Sequence, residues 1–158
     1  MKWEIEIKVV EDLSVLSPEE QELIQAARDA TNAAYAPYSK FFVGAAVRLE
    51  DGTLISGSNQ ENAVYPLGLC AERVALFTAG NTHPNIPIAA LAVTTKSEMS
   101  DPAIPQFPCG SCRQAILEFE NRHDRPIKTY VVGGMGKVYI MDSIKEILPF
   151  AFKGDFLK

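Results

Sequence analysis

The chain has 158 residues, of which 47% are hydrophobic and 22% are charged, and its formal net charge is -5 at pH 7. This length and composition are typical of one globular domain that buries a core without disulfides. The negative charge disfavours a nucleic-acid-binding surface, which normally carries a basic patch. No apolar stretch of the sequence approaches the roughly 20 residues that span a bilayer. We therefore expect neither nucleic acid nor membrane as a partner.

Residues 1–16 are predicted to form an extension that contains one strand. Apolar residues alternate with charged residues from Trp3 to Val9, which is the period-2 pattern of a strand. The segment lacks the apolar region that a secretory signal needs. Three cysteines without a secretory signal suit a reducing compartment, so we expect a cytoplasmic protein.

The following segment predicts a helix and then a hairpin. Ser17-Pro18-Glu19-Glu20 combines an N-cap serine, a proline at the first helical position and a capping-box glutamate. The helix that begins there is expected to end before Ala36-Pro37. Strands are predicted at 41–49 and 54–58, and Asp51-Gly52 between them is a strong signal for a hairpin turn.

The rest of the chain alternates between helices and strands. In chain order the predictions are a helix at 70–79 ended by Gly80, a strand at 88–95, a proline-rich loop at 101–108, a helix at 109–121, strands at 128–132 and 137–141, and a short helix at 143–148. This alternation predicts an α/β fold with helices on both faces of one sheet. We find no repeat and no linker, so one domain is expected over 1–158, with 17–158 as its core.

All three cysteines lie in two short motifs, Cys70-Ala71-Glu72 and Pro108-Cys109-Gly110-Ser111-Cys112. Three thiolates can hold a zinc ion and leave its fourth position open for a reacting molecule. Glu72 is a carboxylate beside this set that need not be a ligand. The layout, a ligand-x-Glu followed by Pro-Cys-x-x-Cys, is the signature of zinc nucleobase deaminases.

The chemistry of deamination explains this combination of residues. Zinc lowers the pKa of water to near neutrality and so supplies a hydroxide. Attack on the amino-bearing carbon of a pyrimidine also needs protons at the ring nitrogen and at the departing amine. One carboxyl group can carry both protons, which makes Glu72 the candidate catalytic residue. Cys70 and Cys109 stand at predicted helix starts, where the dipole and free N–H groups favour thiolates.

Two other interpretations of the cysteines stay open at this point. A Cys-x-x-Cys sequence can be a redox pair, and three cysteines with one histidine can form a structural zinc site. The candidate histidines, His83 and His123, both lie in polar, loop-like contexts. Glu72 and Pro108 favour the catalytic interpretation, because a redox pair has no use for either residue.

Further motifs extend the deaminase likeness from about Ala33 to Phe152. They are Tyr35-Ala36-Pro37-Tyr38-Ser39-Lys40-Phe41, Val43-Gly44-Ala45-Ala46, Asn59-Gln60-Glu61-Asn62-Ala63, Tyr65 to Arg73, Pro108 to Gln114, and Leu148 to Phe152. On these residues the chain resembles the small, three-cysteine, homotetrameric cytidine deaminases. The resemblance implies a three-layer α/β/α sandwich around a mixed five-stranded sheet. It also implies hydrolysis of cytidine and deoxycytidine to uridine and deoxyuridine plus ammonia, in pyrimidine salvage.

The resemblance assigns roles to the residues around the metal. One Zn²⁺ per chain would be held by Cys70, Cys109 and Cys112. The substrate would contact four residues, which are Phe41 as an aromatic wall against the base, Asn59 and Glu61 at the ribose hydroxyls, and Ala71. Arg73 would donate to the cysteine sulfurs and offset their negative charge.

The resemblance also implies that the active site is shared between subunits of a homotetramer. Ala63, Tyr65 and Phe152 match positions that reach into the site of a neighbouring subunit. Two residues depart from the usual pattern, because Phe107 stands where a small residue is common and Gln60 where an apolar residue is common. Either departure could alter the pocket rim or an interface.

Three alternatives to cytidine deamination follow from the same motifs. A deaminase of a related aminonucleoside such as blasticidin S would share the zinc and Glu72 but should not need Asn59, Glu61 and Phe41 together. A deaminase of polynucleotides would want a basic groove, which an acidic chain does not favour. A non-catalytic, zinc-stabilised interaction module would have no use for Glu72.

Overall fold

A computed structural model describes residues 2–97, 104–134 and 136–157 of the chain. Its helices are α1 (Pro18–Ala30), α2 (Ala71–Thr82) and α3 (Gly110–His123), and its strands are β1 (Lys8–Val10), β2 (Phe42–Leu49), β3 (Leu54–Ser58), β4 (Ile88–Lys96), β5 (Lys128–Val132) and β6 (Val138–Met141). Short 3-10 helices lie at Leu13–Val15, Thr31–Ala33, Tyr65–Leu67, Ile144–Ile147 and Gly154–Leu157. Residues 101–103 of the predicted loop lie outside the described residues.

The strands form one mixed sheet in the order β1-β6-β5-β4-β2-β3. Strands β4 and β5 are parallel, and the other neighbouring pairs are antiparallel. An α/β fold with a mixed sheet is therefore confirmed. The expectation of five strands is wrong, because the N-terminal extension adds β1 as a sixth strand at the edge of the sheet.

The extension pairs over a shorter and later stretch than its alternating pattern predicts. The predicted strand covered Trp3 to Val9, whereas β1 covers Lys8–Val10 and pairs Lys8 with Ile140 and Val10 with Val138. Its partner β6 has only four residues. By this register Ile7 lies opposite Met141, the last residue of β6, and the residues before Ile7 extend past the end of β6.

Helix α2 runs past the glycine that was predicted to end it. Gly80 lies inside α2, and a side-chain carbon at this position would lie 2.9 Å from Cζ of Phe119 on α3. Gly80 therefore permits the close approach of two helices instead of ending one. Within the described ranges, no helix combines the length and the apolar character that crossing a membrane requires.

The buried core is divided between two hydrophobic clusters. Ala45 of β2 belongs to a cluster with Leu76 of α2 and Ile116 of α3, whereas the next residue, Ala46, belongs to a cluster with Leu23 of α1. Consecutive residues of a strand point to opposite sides of the sheet. One cluster is thus built on α1 and the other on α2 and α3.

Two glycines allow helices to approach the sheet more closely than any other residue would. A side-chain carbon at Gly44 of β2 would lie 2.1 Å from the carbonyl oxygen of Ala27 on α1. At Gly57 of β3 it would lie 2.5 Å from the backbone nitrogen of Ala75 on α2. Gly57 therefore fixes the depth at which α2, the helix that follows Cys70, packs on the sheet.

Glu20 connects the start of α1 to strand β5. Its Oε2 accepts the Ser17 N–H at 2.9 Å, and the Glu20 N–H donates to the Ser17 Oγ at 3.3 Å, which confirms the predicted capping box. Its Oε1 accepts from the Tyr130 hydroxyl and, at 2.9 Å, from Lys128 Nζ. Burial alone would raise the pKa of this carboxyl, but the bonds from Tyr130 and Lys128 outweigh it and lower the pKa to about 2.

Replacing Glu20 with alanine should lower the free energy of unfolding at pH 7 by about 1–3 kcal/mol, because the buried Tyr130 hydroxyl loses its acceptor. The folded pKa lies below the ordinary value of 4.5, so the carboxylate stabilises the fold above about pH 4.5 and this contribution disappears as the pH falls towards 2. Denaturant unfolding of both proteins at several pH values checks this shrinking difference. Glu19→Ala, one residue earlier and exposed, is the control and should have little effect.

Candidate active site

The starts of α2 and α3 bring all three cysteines together. Cys70 is the N-cap residue of α2, Cys109 is the N-cap residue of α3, and Cys112 lies in the first turn of α3. The three Sγ atoms lie within 4.8 Å of one another, and those of Cys109 and Cys112 are 3.5 Å apart. The predicted helix starts and the predicted meeting of the two motifs are both present.

This sulfur cluster has the donors and the spacing that zinc requires. Zinc binds thiolate sulfur at about 2.3 Å, so the sulfurs of a tetrahedral site lie about 3.8 Å apart. The 3.5 Å separation of Cys109 and Cys112, and the 4.8 Å limit within which all three sulfurs lie, are compatible with that value. Exposure differs among the three thiols, because Cys112 is buried, Cys70 is half-buried and Cys109 is exposed. One side of the cluster is therefore open to a small molecule.

Neither histidine can complete a structural site with the cysteines. His83 is the C-cap residue of α2, and His123 is the last residue of α3. Both therefore lie at the helix ends opposite the cysteines, roughly 18 Å away for a helix the length of α2 at 1.5 Å per residue. His83 instead shares a hydrogen bond of 2.8 Å with the Thr82 hydroxyl. This geometry removes the three-cysteine, one-histidine interpretation.

The thiols influence each other's ionisation strongly. A hydrogen bond from Cys112 and, more weakly, contact with the Arg73 guanidinium lower the pKa of Cys70 to about 5 against the opposing effect of burial. The same bond to Cys70, together with burial, raises the pKa of Cys112. Cys70 is therefore a ready thiolate at neutral pH, which is the form that binds a metal.

Arg73 lies where the predicted charge compensation requires it. Its Nη2 donates to Cys70 Sγ at 3.8 Å. Its Nε is buried and has no hydrogen-bond partner among the described residues. The guanidinium therefore interacts with the sulfur cluster, and its Nε–H is a donor that no described residue uses.

Glu72 is buried in the first turn of α2 next to the sulfur cluster. Its side chain is largely shielded from solvent, with 4% relative exposure, yet it lines the same cavity as Cys70 and Cys109. Burial raises the pKa of this carboxyl, and the Cys70 thiolate raises it further. Glu72 therefore holds a proton more readily than an ordinary glutamate, which suits a group that transfers protons near neutral pH.

A cavity of about 770 Å³ extends from the sulfur cluster. Its wall contains three of the four predicted substrate residues, which are Phe41, Asn59 and Glu61. The fourth, Ala71, is the fully buried first residue of α2 and does not line this cavity. Gln60 and Phe107, the two departures from the usual pattern, also line the cavity.

Asn59 and Glu61 are held in place by backbone groups of residues 38–43. Asn59 Oδ1 accepts the Val43 N–H at 2.8 Å, and its Nδ2 donates to the Phe41 carbonyl at 2.9 Å. Glu61 Oε2 accepts the N–H groups of Tyr38 and Ser39 at 3.0 and 3.2 Å. A hydrogen bond from Ser39 is the largest effect that lowers the pKa of Glu61, so this residue remains a carboxylate.

The residues that were predicted to reach a neighbouring subunit are all exposed in this chain. Tyr65 lines the cavity of its own chain, and its ring lies 5.8 Å from that of Tyr38. Ala63 and Phe152 do not line this cavity. The carbonyl of Phe152 accepts a hydrogen bond of 2.9 Å from Gln114 Nε2 on α3, and its side chain is 60% exposed.

Arg113 is a structural part of the site that the sequence analysis missed. Its Nε donates to the Pro108 carbonyl at 2.8 Å, and its Nη1 donates to the Ile147 carbonyl at 2.9 Å. It thereby ties the turn before Cys109 to the 3-10 helix that follows β6. The motif includes Arg113, but no sequence pattern identifies carbonyl acceptors so far along the chain.

The chain is similar to proteins named cytidine deaminase. It is 39% identical over 135 residues to one from Halalkalibacterium halodurans, covering 85% of this chain and 95% of that relative. It is 39% identical over 137 residues to one from Sporosarcina psychrophila, covering 87% and 93%. A crystal structure of cytidine deaminase from Burkholderia pseudomallei superposes with a TM-score of 0.74 at 38% identity, covering 87% of this chain and 100% of that one.

A family model adds the region that carries the metal motifs. Residues 17–124, which include all three cysteines and Glu72, match the cytidine and deoxycytidylate deaminase zinc-binding region. The match excludes the N-terminal extension and residues 125–158. Together with the sulfur cluster, these similarities establish that the chain belongs to the cytidine and deoxycytidylate deaminase zinc-binding family.

Proposed function

We propose that this protein hydrolyses cytidine and deoxycytidine to uridine and deoxyuridine with release of ammonia, in pyrimidine salvage. The observation that carries the proposal is the sulfur cluster beside a buried glutamate, Glu72, in one cavity. A redox pair or a structural zinc site needs neither the glutamate nor the cavity. The named relatives, whose lengths are almost fully covered by this chain, support the same activity.

Cys70, Cys109 and Cys112 are the residues that would hold one Zn²⁺ per chain. When bound, zinc supplies a hydroxide nucleophile from water at neutral pH. The placement of Cys70 at a helix N-terminus favours its thiolate form. Arg73 offsets the negative charge of three thiolates through its bond to Cys70. With that charge reduced, the site would still stabilise a negatively charged hydroxide.

Glu72 is the proton carrier of the proposed reaction. Its carboxylate takes a proton from the attacking water and delivers it to the ring nitrogen beside the reacting carbon. It then takes the remaining proton from the added hydroxyl group and transfers it to the amino nitrogen, so that the carbon–nitrogen bond breaks, ammonia departs and the carbonyl forms. The raised pKa of Glu72 supports this role, because the same group must accept and release a proton at similar pH.

The facing wall of the cavity is the proposed nucleoside site. Asn59 uses one amide hydrogen on the Phe41 carbonyl and retains a second, since an amide nitrogen carries two. Glu61 is a fixed carboxylate that can accept from a sugar hydroxyl. Phe41 offers an aromatic face to the base, and Ala71, which directly follows Cys70, is the fourth proposed substrate contact. These positions support recognition of a nucleoside over a free base.

The finer architecture and assembly belong to the same proposal. The two core clusters support three layers, with α1 on one face of the sheet and α2 and α3 on the other, within a single domain over 1–158. We infer a cytoplasmic homotetramer, with free thiols kept reduced, and neither nucleic acid nor membrane as a partner. The exposed residues Ala63, Tyr65 and Phe152 would complete the site of a neighbouring subunit.

The first test measures ammonia release from cytidine, deoxycytidine and free cytosine by the zinc-loaded protein. Both nucleosides should react, and cytosine should be poorer by orders of magnitude, because sugar binding helps to position the reacting ring. Glu72→Gln and Glu72→Ala should retain one zinc per chain yet turn over at least roughly 10²-fold more slowly. Equal turnover of cytosine, or loss of zinc from Glu72→Gln, would contradict the proposal.

A complementation experiment tests whether the site is shared. Phe152→Ala and Glu72→Ala should each be nearly inactive as pure proteins. If Phe152 serves a neighbouring subunit, mixed assemblies contain sites with an intact Glu72 from one chain and an intact Phe152 from another. Co-expression of the two variants should therefore give more activity than the sum of the separate proteins. Activity no greater than that sum, or a fully active monomer by light scattering, would rule out shared sites.

A further inference from the structure

The segment that leads into Cys109 lacks regular secondary structure. Residues 105–109 form neither helix nor strand before α3 begins at Gly110. Cys109 is also the exposed member of the sulfur cluster. Burial therefore does not fix this thiol: the Cys109 carbonyl accepts the Arg113 N–H at 3.0 Å on the helix side, and the residues just before Cys109 must hold it on the other side.

Arg113 fixes this segment from the helix side only. Its bond to the Pro108 carbonyl restrains the residue next to Cys109. On the other side of the segment lies Phe107, whose ring lines the active-site cavity and is 38% exposed. An aromatic residue in irregular backbone needs a packing partner to hold one conformation.

Tyr139 of β6 is that partner. The rings of Phe107 and Tyr139 have centroids 5.3 Å apart and meet edge to face at an interplanar angle of 62°. This is a favourable geometry for aromatic pairs. Tyr139 itself is partly buried against the cluster built on α2 and α3, so it is a firm support for the Phe107 ring.

The N-terminal extension supports Tyr139 from the other side. Val9 of β1 pairs directly with Tyr139 of β6 in the antiparallel register. Side chains at such paired positions lie on the same face of the sheet, with Cβ atoms about 4.5–5.5 Å apart. Ile7, on the same face of the strand, packs against the same core cluster as Tyr139. Strand β1 is thereby connected to the turn before Cys109 through the side chains of Tyr139 and Phe107.

We propose that Phe107, Tyr139 and Val9 are positioning residues that hold the turn carrying Cys109 in its metal-binding geometry. Phe107 acts on Cys109 through the backbone of Pro108, Tyr139 fixes the Phe107 ring, and Val9 fixes Tyr139. The extension thus contributes to the site without contacting the substrate. This inference rests on the proposed zinc-dependent function, but zinc retention tests it independently of any activity.

The test measures how fast zinc passes from the loaded protein to an excess of chelator, beside kcat and KM for cytidine. Phe107→Ala and Tyr139→Leu should each release zinc roughly two- to tenfold faster, the range expected for loss of one aromatic pair. kcat should fall with little change in KM, because the residue that is loosened, Cys109, is a proposed ligand of the metal and not of the substrate. The double variant should match the single variants, since both remove the same contact.

Matched controls separate positioning from general destabilisation. Tyr139→Phe keeps the ring and should release zinc at the wild-type rate. Val9→Ala, at a 44% exposed position, should accelerate release modestly, whereas the neighbouring Lys8→Ala, on the opposite face of β1, should not. Thermal melting identifies any variant that fails to fold. If Phe107→Ala or Tyr139→Leu fails to fold, the zinc-release rate of Val9→Ala still tests the proposal.

Two results would overturn the proposal. One is wild-type zinc release from folded Phe107→Ala, and the other is equal acceleration by Val9→Ala and Lys8→Ala. If the wild-type protein retained zinc but left cytidine unchanged, the proposed function would fail while the zinc-release comparison would still decide the role of Phe107.

Discussion

The close approach of α2 and α3 is the constraint on which the rest of the site depends. Gly57 lets α2 pack deeply on β3, and Gly80 leaves room for the Phe119 ring of α3 against α2. Because both helices are held so close, their first residues meet and the sulfurs of the two motifs lie within 4.8 Å of one another. A metal bound by residues of both helices would in turn stabilise their packing, since binding free energy adds to folding free energy.

The site brings several acidic groups together, and positively polarised groups beside them compensate part of the negative charge. Three sulfurs and a buried carboxyl lie together, and the compensating groups are two helix N-termini and the guanidinium of Arg73. A hydrogen bond from Cys112 and contact with Arg73 lower the pKa of Cys70, whereas burial and the nearby Cys70 thiolate raise the pKa of Glu72. One electrostatic environment therefore prepares a thiolate for metal binding and a carboxyl for proton transfer, which are the two properties that deamination requires.

Local sequence signals predicted the elements and the metal motifs because each signal acts over a few residues. The capping box at Ser17 and the strand of residues 128–132 are present as predicted. Features that depend on contacts between residues far apart in the sequence could not be predicted from such local signals. The position of β1 depends on its pairing with β6, and Gly80 serves packing against α3 instead of ending its helix. The contacts of Arg113 likewise join residues far apart in the sequence, so no local pattern could identify them.

Zinc K-edge X-ray absorption of the purified, zinc-loaded protein tests the central claim most directly. The claim is that three cysteine sulfurs hold one zinc and leave its fourth position to a small oxygen or nitrogen ligand. The account predicts three sulfurs at about 2.3 Å and one lighter ligand at about 2.0 Å per zinc. Fewer than three sulfurs per zinc, or the scattering pattern of an imidazole ring from His83 or His123, would contradict it.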